Sequence, residues 1–100
     1  MNLKVKRYLI RLDAEFKNIF KQKKDPFSYL ASIIFQVPYS ECNPYDKVNE
    51  NGYKICEHHS YIGGVRRKAA KMTVVAAVYP KYANIENMTN LFKEVQEYGN

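Results

Sequence analysis

The chain has 100 residues, a formal net charge of +6, 46% hydrophobic residues and 14% aromatic residues. This length allows one domain with a single modest core, and the hydrophobic content excludes a disordered chain. The longest apolar stretches fall far short of the roughly 20 residues that a membrane-spanning helix needs, and no apolar block typical of a secretory signal follows the first cations. We therefore predict one domain over residues 1–100, a cytoplasmic location and no membrane partner.

The charges alternate along the chain. Residues 1–24 and 61–81 are basic, with net charges of +6 and +5, whereas residues 25–60 and 82–100 are acidic, with net charges of −3 and −2. A basic balance favours association with polyanions, and this distribution predicts separate basic and acidic patches on the surface.

The first predicted element is an amphipathic helix from Leu3 to Phe20. Its apolar residues recur at spacings of three and four, which gives one continuous face for the core. Lys21, Lys23 and Lys24 gather at the predicted C-terminal end, where cations suit the negative pole of the helix dipole. Helix stability therefore explains part of the first basic block.

A second helix is predicted over residues 26–36. Asp25 is a capping residue, Pro26 fits the first helical turn, and Pro38 disfavours a helical conformation at Val37. The wide apolar face of this segment indicates a position at the centre of the core.

Residues 38–53 are rich in proline, asparagine and glycine, which is typical of turns. The pair Asn51-Gly52 predicts a small hairpin over residues 46–57. Three tyrosines in or near this region, Tyr45, Tyr53 and Tyr61, are candidate aromatic anchors for unpaired bases or for a protein partner.

Between Val65 and Tyr79 two interpretations are open. Alanines and helical spacing favour a helix, whereas residues 72–79 also suit a strand. We predict a helix here, followed by a last helix that Asn84 caps and Gly99 terminates. The predicted fold class is mainly α, a single small domain of about four helices with a short β-hairpin between the second and third. The alternative is an α+β fold with residues 72–79 as a strand.

Metal-ligating and nucleophilic side chains do not form a recognisable motif. Cys42, Cys56, His58 and His59 have no CxxC spacing, and adjacent histidines on a strand point to opposite faces. No nucleophile has a base oriented by a third group in a recognisable frame. We predict no metal, no cofactor and no catalytic residue, and we expect reduced cysteines, with a single disulfide as the alternative.

The strongest candidate site follows the glycine pair at residues 63 and 64. If a helix begins near Val65, its free N–H groups form an anion site, and Arg66, Arg67 and Lys68 occupy a first turn where the dipole disfavours cations. Such a turn needs a compensating anion: a phosphate backbone, a partner's carboxylates or the acidic middle segment of this chain. The candidate nucleic-acid-binding or anion-binding residues are Gly63, Gly64, Arg66, Arg67, Lys68, Lys71, Lys21, Lys23 and Lys24.

These features predict a non-enzymatic binding protein that engages nucleic acid or a nucleoprotein complex through this basic patch at a helix start. The alternative is a small protein-binding inhibitor or adaptor that blocks a host nucleic-acid-processing machine by docking on an acidic protein surface. An abundance of lysine, asparagine and tyrosine, typical of AT-rich genomes, makes a phage or mobile element the expected source in that case.

Overall fold

The computed structural model describes residues 2–98, in which five α-helices and one two-stranded hairpin form a single small domain. The mainly helical class with a short hairpin is therefore confirmed. The alternative interpretation, in which residues 72–79 form a strand, is wrong because the fourth helix runs to Val78. The elements are α1 (Leu3–Ile10), α2 (Leu12–Lys21), α3 (Pro26–Phe35), β1 (Lys47–Val48), β2 (Lys54–Ile55), α4 (Tyr61–Val78) and α5 (Ile85–Tyr98).

The first predicted helix is divided into α1 and α2 at Arg11, whose φ of −111° and ψ of 35° lie outside the helical region. This bend allows both short helices to pack against α3. The start of α1 is fixed by Asn2, whose Oδ1 accepts a hydrogen bond from Val5 N at 2.9 Å and whose amide donates to Ile33 O of α3 at 3.1 Å. The predicted terminator Gly99 lies outside the described residues.

The corner between α2 and α3 is a Schellman turn. Lys24 N donates to Ile19 O at 3.1 Å and Lys23 N donates to Phe20 O at 2.9 Å. Lys23 has a φ of 58°, a left-handed conformation in which glycine is the usual residue. The turn stops α2 and places the backbone of Lys23 and Lys24 directly before α3.

Helix α3 lies at the centre of the core, as its apolar face predicts. Leu30 and Ala31 are fully buried, and Tyr8 of α1 donates a hydrogen bond from its hydroxyl to Pro26 O at 3.0 Å. A 3-10 turn over Tyr39–Cys42 packs on the same helix and buries the Cys42 side chain completely. Burial raises the pKa of the Cys42 thiol to about 11.

The hairpin is antiparallel, with Lys47 opposite Ile55 and Val48 opposite Lys54. Its loop contains the predicted Asn51-Gly52 pair, and Gly52 has the positive φ of 83° that such turns require. The hairpin confirms the element predicted over residues 46–57. A second apolar cluster, formed by Ile62, Val65, Ala69 and Leu91, joins α4 to α5.

Candidate nucleic-acid interface

Helix α4 begins at Tyr61, one turn earlier than the start near Val65 that the sequence predicted. Ser60 is the N-cap, and its Oγ accepts a hydrogen bond from Gly63 N at 3.1 Å, while its carbonyl accepts from Gly64 N at 3.1 Å. The N–H groups of both glycines are therefore already satisfied within the chain. The expected arrangement of a glycine loop followed by free helix-start N–H groups is wrong, and Arg66, Arg67 and Lys68 lie in the second turn.

The glycine pair instead permits close contact with Asn43. The Asn43 side chain is buried, donates from Nδ2 to Ser60 O at 2.7 Å and accepts at Oδ1 from Ser60 N at 3.0 Å. A Cβ atom on Gly63 would lie 2.4 Å from Asn43 Oδ1, and one on Gly64 would lie 3.3 Å from Asn43 Nδ2. The need for glycine at position 63 therefore comes from packing against Asn43.

Arg67 forms an ion pair with Asp25. Its Nε donates to Asp25 Oδ2 at 2.6 Å and its Nη2 donates to Oδ1 at 3.3 Å, and the carboxylate is almost completely buried. Asp25 also caps α3, accepting from Phe27 N at 3.3 Å and from the Ser28 hydroxyl at 2.7 Å. The compensating anion for Arg67 is therefore a carboxylate from the acidic segment of this chain.

The hydrogen bonds and the charge around the Asp25 carboxyl favour its ionised form. Burial acts to raise the pKa of the Asp25 carboxyl, but hydrogen bonds from Arg67 and Ser28, the positive charge of Arg67 and the bond from Phe27 N together hold that pKa below its ordinary value. Asp25 is therefore ionised at neutral pH, and it neutralises the guanidinium that it binds.

The lowered pKa predicts an acid-dependent loss of stability. The Asp25 contribution should be fully present above the unfolded-state pKa of about 3.9, and it should be lost as the pH falls through the lower folded-state pKa. We expect Asp25→Asn to flatten the dependence of the free energy of unfolding on pH below about pH 4, measured by urea denaturation. Glu50→Gln, which removes an exposed carboxylate of the hairpin loop, is the control and should flatten it much less. Equal slopes in wild type and Asp25→Asn would contradict this assignment.

Arg66 is also engaged within the chain. Its Nη1 donates to Glu41 O at 2.9 Å, which ties α4 to the 3-10 turn. Its Nε is buried and has no hydrogen-bond partner among residues 2–98. Of the seven predicted cations on α4 and at the α2–α3 corner, Arg66 and Arg67 thus form contacts that stabilise the fold.

The lysines differ from the two arginines. No carboxylate within the described part of the chain lies at ion-pair distance from the five predicted lysines, and all five are exposed. Lys24 has its Nζ 5.6 Å from the centre of the Tyr39 ring. Among the seven predicted cations, those with charge available to a ligand are therefore Lys21, Lys23, Lys24, Lys68 and Lys71.

A cleft of about 460 Å³ lies where the α2–α3 corner, the hairpin and α4 meet, and we call it the corner cleft. Arg67 lies at its wall, with the guanidinium carbon 4.6 Å from the Tyr45 ring centre and 5.5 Å from that of Phe27. Asp25 and Asp46 are its two acidic lining residues. Its aromatic lining residues are Phe20, Phe27 and Tyr45, and its basic lining residues besides Arg67 are Lys23, Lys24 and Lys54.

The corner cleft brings together four of the predicted residues, namely Lys23, Lys24, Arg67 and Tyr45. Lys21, Lys68 and Lys71 do not line it. Sequence reasoning missed Phe20 and Phe27, which the helical pattern assigned to the core, and Lys54, which no local signal distinguishes from a solvated hairpin residue.

The remaining aromatic anchors lie elsewhere. Tyr53 is exposed at the end of the hairpin loop, next to β2. Tyr61, the first residue of α4, donates a hydrogen bond from its hydroxyl to Glu94 of α5. Neither tyrosine lines the corner cleft.

No protein-family model, curated protein or solved structure matches the chain. Among residues 2–98, no group of three or more histidine, cysteine, aspartate or glutamate side chains is arranged to hold a metal ion, and both cysteines are free. None of the helices in that range is both long enough and apolar enough to cross a membrane.

Proposed function

We propose that this chain is a non-enzymatic nucleic-acid-binding protein whose phosphate footprint is the set of lysines in and around the corner cleft. The observation that carries the proposal is the combination, in one cleft, of exposed unpaired lysines with aromatic side chains. Its expected location is the cytoplasm.

The lysines are the better candidates for phosphate contacts because the two arginines already have partners. The charge of Arg67 is neutralised by Asp25, and Arg66 is bonded to the Glu41 carbonyl. Lys71 follows Arg67 by one helical turn and therefore lies on the same side of α4, which extends the basic surface beyond the cleft. Exposed cations of this kind bind phosphates chiefly by releasing counterions, so the affinity should depend strongly on salt.

Replacing three cleft lysines should weaken this salt dependence. For Lys23→Gln/Lys24→Gln/Lys54→Gln, we expect the slope of the logarithm of the association constant against the logarithm of salt concentration to decrease in magnitude by about 2 for a single strand. Fluorescence anisotropy with labelled oligonucleotides over a salt series measures this slope. The matched control is Lys4→Gln/Lys81→Gln/Lys93→Gln, which removes the same charge from residues that do not line the cleft. Equal slopes for the two triple variants would count against the corner cleft as the phosphate footprint.

A second function, a small protein-binding inhibitor or adaptor, is favoured by one other observation. Apolar side chains are exposed at the junction of α4 and α5, where Val78, Tyr79, Tyr82 and Ile85 are 43%, 60%, 74% and 56% exposed. A protein partner would cover this junction, whereas nucleic acid would contact the lysines. Retention of a partner after nuclease treatment, together with its loss in Tyr82→Ser but not in the cleft triple variant, would favour this second function.

A further inference from the structure

We propose that the corner cleft takes an unpaired base, so that the nucleic acid bound by this chain is single-stranded. The inference rests on the proposed function and assigns its ligand class. It follows from the aromatic side chains of the cleft and from the positions of its lysines on separate elements.

Of the three aromatic side chains that line the cleft, Phe20 is exposed, whereas Phe27 and Tyr45 are half-buried and held in place. Phe20 is 55% exposed although it belongs to the apolar face of α2, and its ring meets that of Phe16 edge-on at 6.3 Å. Tyr45 and Phe27 both contact the guanidinium of Arg67, which two hydrogen bonds hold on Asp25. An aromatic surface held in this way loses little freedom when a flat ligand stacks on it.

The cations of the cleft come from separate elements. Lys23 and Lys24 belong to the α2–α3 corner, whereas Lys54 belongs to β2, and all three line the same cavity. A ligand that satisfies them carries several negative charges around an apolar, planar group. A nucleotide within a single strand has this chemistry, because its base is free to leave the stack while the adjacent phosphates remain exposed. The bases of a duplex are paired and stacked inside it and do not enter such a cleft.

The backbone conformation at Lys23 allows the charge of this residue to be removed without destabilising the fold. A lysine with a φ of 58° occupies a position where glycine is favoured, so the side chain is not required by the turn. The variant Lys23→Gly therefore removes one cleft cation without introducing backbone strain. We expect it to bind single strands more weakly while its thermal unfolding temperature stays the same or rises.

The test compares three labelled probes of equal length by fluorescence anisotropy: a single strand, the same strand with abasic sites, and its duplex. The abasic strand keeps the phosphates and removes the bases, so no protein variant is needed for this comparison. We expect it to bind about 5- to 150-fold more weakly than the intact strand, as for the loss of one stacked base. Phe20→Ala should reduce single-strand binding by a similar factor, and the control Tyr53→Ala, which changes an exposed ring outside the cleft, should not.

The outcomes separate the inference from the proposed function. Preference for the intact single strand, lost with abasic sites, supports both. Equal and salt-dependent binding of all three probes overturns the base-binding cleft and leaves the proposed function standing. Absence of binding to any probe at low salt overturns both. If Phe20→Ala fails to fold, the abasic comparison with the wild-type protein still decides the question.

Discussion

Replacing Arg67 with alanine is expected to lower the free energy of unfolding by about 3 kcal/mol, the lower end of the range for breaking a buried ion pair. The variant would leave the Asp25 carboxylate buried with only Ser28 and Phe27 N as donors. The lower end applies because the Arg67 side chain is 26% exposed, so water reaches part of the vacated space. Urea denaturation followed by circular dichroism measures the change.

Two variants make this prediction specific. Lys68→Ala removes the neighbouring exposed cation and should alter the free energy of unfolding by no more than about 0.5 kcal/mol. The double variant Asp25→Ala/Arg67→Ala should be less destabilised than the sum of the two single changes, since each single change already removes the shared interaction. An additive double variant would mean that the two side chains contribute independently.

Gly63→Ala is expected to destabilise the fold by about 2 kcal/mol. The new Cβ atom would meet Asn43 Oδ1 at 2.4 Å and Ser60 Oγ at 2.7 Å, so the buried amide must move and lose hydrogen bonds to Ser60. Leaving such buried groups unsatisfied costs about 1–3 kcal/mol each, which outweighs the gain of up to about 1 kcal/mol from the helix propensity of alanine.

Gly64→Ala is the matched control because it makes the same chemical change at the next position of the same helix. Its nearest contact would be Asn43 Nδ2 at 3.3 Å, which a small adjustment relieves. We expect a change in the free energy of unfolding of less than about 1 kcal/mol, of either sign, in a denaturation experiment. If both alanine variants were equally stable, the contact with Asn43 would not be the reason for glycine at position 63.

The start and end of α3 and the hairpin loop could be predicted from residues that lie close together in the sequence. Asp25 and Pro26 begin α3, Pro38 follows its end, and the Asn51-Gly52 pair lies in the hairpin loop. Each of these signals acts within a few residues along the chain, so the sequence alone was sufficient to find them.

Long-range contacts determined what the sequence did not predict. The glycine pair suggested a break before α4, whereas its small size serves a contact with Asn43, twenty positions earlier. The cations near the start of α4 predicted a compensating anion. Only the fold identifies that anion for Arg67 as Asp25, which is 42 positions away in the sequence. Phe20 matched the core periodicity, yet the corner at Lys23 leaves it exposed at a cleft. The apolar pattern of a helix does not indicate which of its residues remain exposed to solvent because of the turn that follows.

The buried Cys42 thiol offers a way to measure local opening of the core by its rate of alkylation. With a pKa of about 11, only about one thiol in ten thousand is ionised at pH 7, and the closed 3-10 turn shields that one from solution. Alkylation of this sulfur therefore requires the turn to separate from α3, so its rate relative to that in denaturant records how often this part of the core opens. Half-buried Cys56 supplies a second alkylation rate on the same molecule, at the end of the hairpin.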